Sequence, residues 1–183
     1  HGWTVEATAA SGAPTGPDAG SHGKFMLRAD DMYCMREIRT DIEIDAPPRI
    51  VWDVLTDLDA YGEWNPQTTS ASGVVGEGET IDITVEPAGR RPVSMSPRVT
   101  AVVPRRRLEW VGTVVHPRLF EARHEFELEP LHDGGTRLYN DERIHGLLAR
   151  FVVDDGTIRD YEAMNRALAE RAASMATAEK RPA

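Results

Sequence analysis

The chain has 183 residues, 40% hydrophobic and 7% aromatic, with 21 Lys+Arg against 30 Asp+Glu and a formal net charge of -9. That length suits one domain built around a single core. An acidic surface repels phosphate backbones and anionic lipid, which argues against nucleic-acid and peripheral-membrane roles.

The run Arg105-Arg106-Arg107 is the one local exception, and its place between Pro104 and an alternating apolar stretch reads as a solvated turn. The single cysteine, Cys34, has no partner for an internal disulfide and no neighbours of a zinc site. A reducing compartment, and so a cytoplasmic location, is expected. No apolar run approaches the roughly 20 residues of a membrane helix. The N-terminus shows no basic patch followed by an apolar segment, so no secretory signal is read.

In chain order, residues 1–34 contain "ATAASGAPTGPDAGSHG", which has too little apolar surface to offset the entropy of ordering. They are expected to be a tag, a fusion remnant or upstream translated sequence before a natural start at Met35; the competing reading is a genuine disordered extension. Residues 35–183 are expected to form the single domain. From residue 36, "REIRTDIEIDA" alternates Ile38, Thr40, Ile42 and Ile44 against charges, the pattern of a half-buried strand. Pro47 and Pro48 suit a helix start, and Ile50, Val51, Val54, Leu55 and Leu58 recur at helical spacing. A short second helical turn through Leu58 and Tyr61 should end near Gly62. Six strands follow, at about 68–75, 79–86, 93–103, 107–115, 120–130 and 135–145, with "VGEGE" and "HDGG" as hairpin turns.

The last segment, 147–178, reads as a helix. Phe151, Ile158, Tyr161, Asn165, Leu168, Ala172 and Met175 share one face by their spacing. Gly156 weakens this helix by about 1 kcal/mol relative to Ala and is expected to kink it. Strands gathered between helices give α+β with an antiparallel sheet, and a strongly curved sheet around one long helix would enclose a space where ligand sites form.

Three stretches, "IEIDAPPRIVWDVLTDLDAYGEWNP", "HEFELEPLHDGGTRLYNDERIHGLL" and "DYEAMNRALAERA", resemble the START-like polyketide-cyclase/dehydrase superfamily, SRPBCC. The resemblance spans roughly residues 36–178. It implies a helix-grip fold: a curved seven-stranded antiparallel sheet around a long C-terminal helix, two short helices after the first strand, and a deep apolar cavity. It also implies that Trp64 and Pro66 sit at the cavity rim or wall, whereas on packing grounds Trp64 plugs one end of the core. Asn65 is expected to fix the turn into the second strand through its side chain. A function does not follow from the fold, because members of this superfamily differ widely.

Period-2 counting sends Phe120, Ala122, His124, Phe126 and Leu128 to one face, and Glu121, Arg123, Glu125 and Glu127 to the other. Leu138, Asn140, Glu142 and Ile144 likewise point inward, as do Trp110 and Leu108. On the helix stripe, Asp154 and Asn165 interrupt the apolar run. The expected ligand-binding set is therefore Trp64, Trp110, His124, Phe126, Asn140, Glu142, Phe151, Asp154, Ile158, Tyr161 and Asn165. Polar groups on dry faces must satisfy one another or face a wet cavity, since an unpaired one costs about 1–3 kcal/mol. The competing readings are a core histidine bonded to a neighbour for His124, and an ion pair with Arg143 or Arg123 for Glu142.

His124 and Glu142 lie on consecutive strands and are the candidate catalytic pair, a base and its orienting group. No metal-spaced histidine set, phosphate-cradling loop or Ser-His-Asp order is present, so neither metal nor cofactor is expected. The reading is a binding module for a hydrophobic or aromatic small molecule, as a monomer or homodimer. The alternatives are a cofactor-independent polyketide cyclase or dehydratase-like enzyme, and an interaction or stress-related protein with a vestigial cavity.

Overall fold

Strand alternation begins at Met35, where the computed structural model first describes the chain; the described residues are 35–86, 89, 91–114, 116–149 and 154–180. Residues 1–34 and Phe151 therefore lie outside them. Strand β1 (Met35–Ile44) buries Ile38 and Ile44 and exposes the charged residues between. Helix α1 (Pro48–Thr56) starts from Pro47, with proline in its first turn where no N–H partner is required, and buries Ile50, Val51, Val54 and Leu55. A 3-10 turn (Leu58–Ala60) and helix α2 (Tyr61–Trp64) follow. This second turn runs through Gly62 instead of stopping there. Gly62 serves a close approach: a Cβ on it would stand 2.6 Å from the Thr69 carbonyl oxygen.

The strands continue as β2 (Thr68–Gly73), β3 (Ile81–Val85), β4 (Val93–Met95), β5 (Arg98–Val103), β6 (Arg107–Thr113), β7 (Glu121–Pro130) and β8 (Thr136–His145), ahead of helix α3 (Asp155–Glu179). The stretch expected as one strand over 93–103 is two. Pro97 has no N–H to give to a ladder, and there the chain leaves one partner for another: Val93–Met95 pairs with β3, Arg98–Val103 with β6. Eight strands thus stand among the described residues where seven were expected. They form a five-stranded sheet in the order β1-β8-β7-β6-β5 and a three-stranded sheet in the order β2-β3-β4. A Thr80–Arg98 bridge, with backbone bonds from Ile81 to Pro97 and from Val99 to Glu79, joins them into one curved antiparallel wall.

Helix α3 lies against this wall as the helix-grip arrangement requires. Its buried stripe is Tyr161, Met164, Asn165, Leu168, Ala172 and Ala176, while Ile158 (39% exposed) and Met175 (38% exposed) fall off it. The helix begins eight residues later than expected, because "DDGT" is a start signal. Asp154 accepts from the Thr157 N–H, and the Thr157 hydroxyl accepts from the Asp154 N–H, a capping box. Gly156 consequently sits in the first turn, where it interrupts no established helix, and the expected kink is replaced by a cap.

Candidate functional site

Three cross-strand rows on the inner face of β6, β7 and β8 decide where the interior is full and where it is open. The first row, Leu108–Phe126–Asn140, is fully buried core. The second is Trp110–His124–Glu142, and the third is Gly112–Ala122–Ile144. Side chains shrink sharply between the second row and the third. Space opens above the second row as a cavity of about 360 Å³, floored by Trp110, His124 and Glu142. Ile83, Val85 and Met95 of the small sheet, Leu58 and Tyr61 of the short helices, and Tyr161 and Met164 of α3 close the other sides.

The floor is wired from below. His124 Nε2 lies 2.7 Å from Asn140 Oδ1. Asn140 Nδ2 donates to Asn165 Oδ1 (2.8 Å), Asn165 Nδ2 donates to Thr40 Oγ1 (2.9 Å), and the Thr40 hydroxyl donates to the Asn140 carbonyl (3.0 Å). In this polarity Asn140 presents an oxygen to the imidazole, so Nε2 carries the proton and Nδ1 keeps a lone pair. Burial lowers the His124 pKa to about 4, with the Asn140 bond pushing partly back, so the ring is neutral. It stacks on Phe126 at a centroid distance of 4.4 Å and meets the edge of Trp110 at 5.3 Å.

Glu142 stands beside His124 across the β7–β8 ladder. The Tyr161 hydroxyl donates to its Oε2. Burial raises its pKa to about 7, so it changes charge near neutrality. Neither expected arginine reaches it. Arg143 pairs with Glu37 at 3.0 Å and Arg123 with Glu109 at 2.6 Å, both on the opposite face. The reason is strand alternation: neighbours in sequence point to opposite sides. Among the described residues no cluster of His, Cys, Asp and Glu is arranged to hold a metal ion.

A family model for polyketide cyclase / dehydrase and lipid transport matches residues 35–173. The chain belongs to this polyketide cyclase/dehydrase and lipid transport family. Solved structures agree on the fold. The Zhui aromatase/cyclase of Streptomyces sp. R1128 is 21% identical, with 81% of this chain and 97% of that chain covered at a TM-score of 0.57. A START superfamily protein from Mycobacterium smegmatis is 16% identical (79% and 99% covered, TM-score 0.57). A Staphylococcus aureus protein of unknown function is 14% identical (79% and 98% covered, TM-score 0.63). No curated protein matches the chain in sequence. No helix among the described residues is long and apolar enough to cross a membrane.

Within this family fold, Trp110, His124, Glu142 and Tyr161 meet at the cavity wall. Phe126, Asn140 and Asn165 lie beneath the floor, fully buried and off the wall. Asn165 is spent on Asn140 and Thr40, so its place on the stripe reflects the network below the cavity. Asp154, the cap in front of α3, and Ile158, in its first turn, are exposed and off the wall, while Thr157 between them lines it. Trp64 is also off the wall. It packs against the core and against Tyr61 at 5.0 Å, while Asn65 Oδ1 accepts from the N–H groups of Gln67 and Thr68 at 2.9 Å and turns the chain into β2. The wall also includes Tyr61, Met95, Phe120 and Met164. Phe120 shares the His124 face by simple alternation. Met95 carried no such signal, since its strand breaks at Pro97.

Proposed function

We propose that the chain binds a hydrophobic or aromatic small molecule in the cavity between the inner sheet face and α3. The observation that supports this is the wall itself: apolar over most of its area, with His124, Glu142 and Tyr161 converging on the floor of a space of about 360 Å³. Ligand sites of about 300–1,000 Å³ have this composition, apolar walls with few placed polar groups. The test is titration with an environment-sensitive aromatic fluorophore. Saturable one-site binding is expected, competed by small apolar molecules. Absence of uptake at any concentration would replace this reading with a vestigial cavity. Native mass spectrometry of gently purified protein would then identify any co-purifying guest.

A second reading, a cofactor-independent cyclase or dehydratase-like enzyme, is favoured by one observation. A neutral imidazole and a carboxyl group titrating near 7 stand side by side across one ladder. Such a pair can take a proton from one atom of a bound guest and return it to another. Under this reading His124→Gln and Glu142→Gln abolish turnover and keep affinity. Under the binding reading neither variant has a turnover to lose.

A further inference from the structure

The hydrogen-bonding inventory of the cavity floor is one-sided, and it bears on the guest's head group; this deepens the binding reading above and rests on it. Two protons on the floor are already committed. The Tyr161 hydroxyl gives its proton to Glu142 Oε2, and His124 Nε2–H gives its proton to Asn140. What is left leans to accepting capacity, with the Trp110 indole N–H as a donor that no described residue takes up. Glu142 Oε1 takes no hydrogen bond from any described residue, and His124 keeps the lone pair on Nδ1. The charges that share the wall point the same way. Asp160 on α3 is a second wall carboxyl and is already engaged, and Arg91, in the β3–β4 connection, is the one cation of the wall among the described residues and is exposed. From β1 the cross-strand neighbour of Glu142 is Ile38, which offers no polar group. A guest that only accepts could take the Trp110 N–H, or an amide or hydroxyl of Gln67 or Thr68 on the wall, but would leave an ionised Glu142 Oε1 desolvated and unpaired.

We propose that the floor favours guests whose buried end donates hydrogen bonds to Glu142, a hydroxyl or an ammonium, over ends that only accept or are anionic. Shape and apolar area set how tightly the body of the guest is held. The Glu142–His124 floor sets which end enters first. The rings of Trp110 and Tyr161 line the wall beside it, and an aromatic face attracts an ammonium as well as stacking on a phenol.

Four probes on one naphthalene skeleton test this with the full chain: 2-naphthol, 2-naphthylmethylammonium, 2-methoxynaphthalene and 2-naphthoate, each titrated at pH 6 and pH 8. At pH 8, where Glu142 is mainly ionised, 2-naphthol should bind about tenfold tighter than 2-methoxynaphthalene, the worth of one hydrogen bond to a charged acceptor, and 2-naphthoate should bind weakest. The gap between the first two should narrow at pH 6, where the protonated carboxyl can itself donate. An ammonium that overtakes the hydroxyl as pH rises marks pairing with ionised Glu142; a hydroxyl that leads at both pH values marks a neutral donor. In Glu142→Gln the amide oxygen takes the Tyr161 proton and the amide N–H₂ turns to the guest. The preference should then narrow or reverse toward 2-methoxynaphthalene, whereas a merely structural role would weaken all four probes alike. Equal affinities of the wild type for 2-naphthol and 2-methoxynaphthalene at pH 8, or tightest binding of 2-naphthoate, overturn the inference while leaving the binding reading in place. Failure of every probe to bind removes both. If Glu142→Gln does not fold, the wild-type ranking alone decides.

Discussion

Glu109 and Glu142 sit on the same sheet, on opposite faces, and both are largely removed from bulk water, yet their charges behave oppositely. Glu109 on β6 is 4% exposed on the outer face. It accepts from Thr100 Oγ1 at 2.6 Å, Arg107 at 2.9 Å and Arg123 at 2.6 Å. Burial alone would push its pKa up; the Thr100 hydroxyl and the two guanidinium groups outweigh this and hold it below the usual carboxylate range. Glu142 has a single neutral donor, Tyr161, and its pKa rises to about 7. Partners, more than depth, decide whether a buried carboxylate is a structural anchor or a group with spare capacity. The outer face is closed electrostatically, and the inner face borders an open cavity.

The sharpest way to break this contrast is to remove each carboxylate. Glu109→Ala should cost about 2–3 kcal/mol in chemical denaturation, a value discounted because Arg107 and Arg123 keep contact with water. Glu142→Gln at pH 7 should leave stability within about 1 kcal/mol of wild type, since it removes a charge that burial already disfavours. Equal losses would erase the distinction. Next in size, Asn165→Leu should cost about 2 kcal/mol, because it strands the Asn140 amide and the Thr40 hydroxyl beneath the floor. A neutral or stabilising result would show that the network under the cavity is dispensable.

The third prediction concerns pH. The His124 pKa falls from 6.5 to about 4 on folding, so between those values the unfolded chain binds the extra proton and stability rises with pH. The Glu142 pKa climbs from 4.5 to about 7, so between those values the folded chain binds the extra proton and stability falls as pH rises. The two slopes oppose each other from pH 4.5 to 6.5. These groups should therefore leave little net slope in the wild type over that window. Glu142→Gln should unmask a rising slope approaching about 1.4 kcal/mol per pH unit and His124→Gln a falling one of similar size. Denaturant midpoints at half-unit pH intervals, each referenced to wild type, read this directly; parallel curves for the two variants would contradict it. The smallest expected effect belongs to Tyr161→Phe. Its ring still packs, so stability should change by less than about 1 kcal/mol. The Glu142 midpoint should move above about 7 when its one donor among the described residues is lost, as followed by carboxyl carbon shifts in NMR. An unmoved midpoint would mean that Tyr161 does not tune the carboxyl.

Much of the fold was legible from residue patterns. Alternation in β7 and β8 placed His124 and Glu142 on the inner face, and the structure puts both there. Proline at the start of α1 and the Asn65 turn follow from chemistry local to a few residues. The site was less legible, and the misplacements share a cause. Placing Asp154 on the stripe extends the helix past its true start, where the capping signal in "DDGT" is the stronger local cue; Ile158 keeps the stripe's spacing inside the first turn but is exposed there. Glu109 alternates with inward residues and looks like any other outer-face glutamate. Its burial comes from Thr100, at a bulge in β5 where the register shifts, and from arginines on two other positions of the sheet.

Side-chain direction along a strand is a property of the backbone, repeating every second residue whatever the rest of the chain does. Sequence therefore determined most of the elements, the inward strand faces and the family. Where one row of the sheet is filled and the next left empty is a different kind of fact. It depends on which residues three strands bring level, Trp110 with His124 and Glu142, then Gly112 with Ala122 and Ile144. It depends also on how far α3 stands off that face. Only the tertiary structure sets those distances, and with them whether Glu142 meets an arginine, as Glu109 does, or a tyrosine and an open cavity.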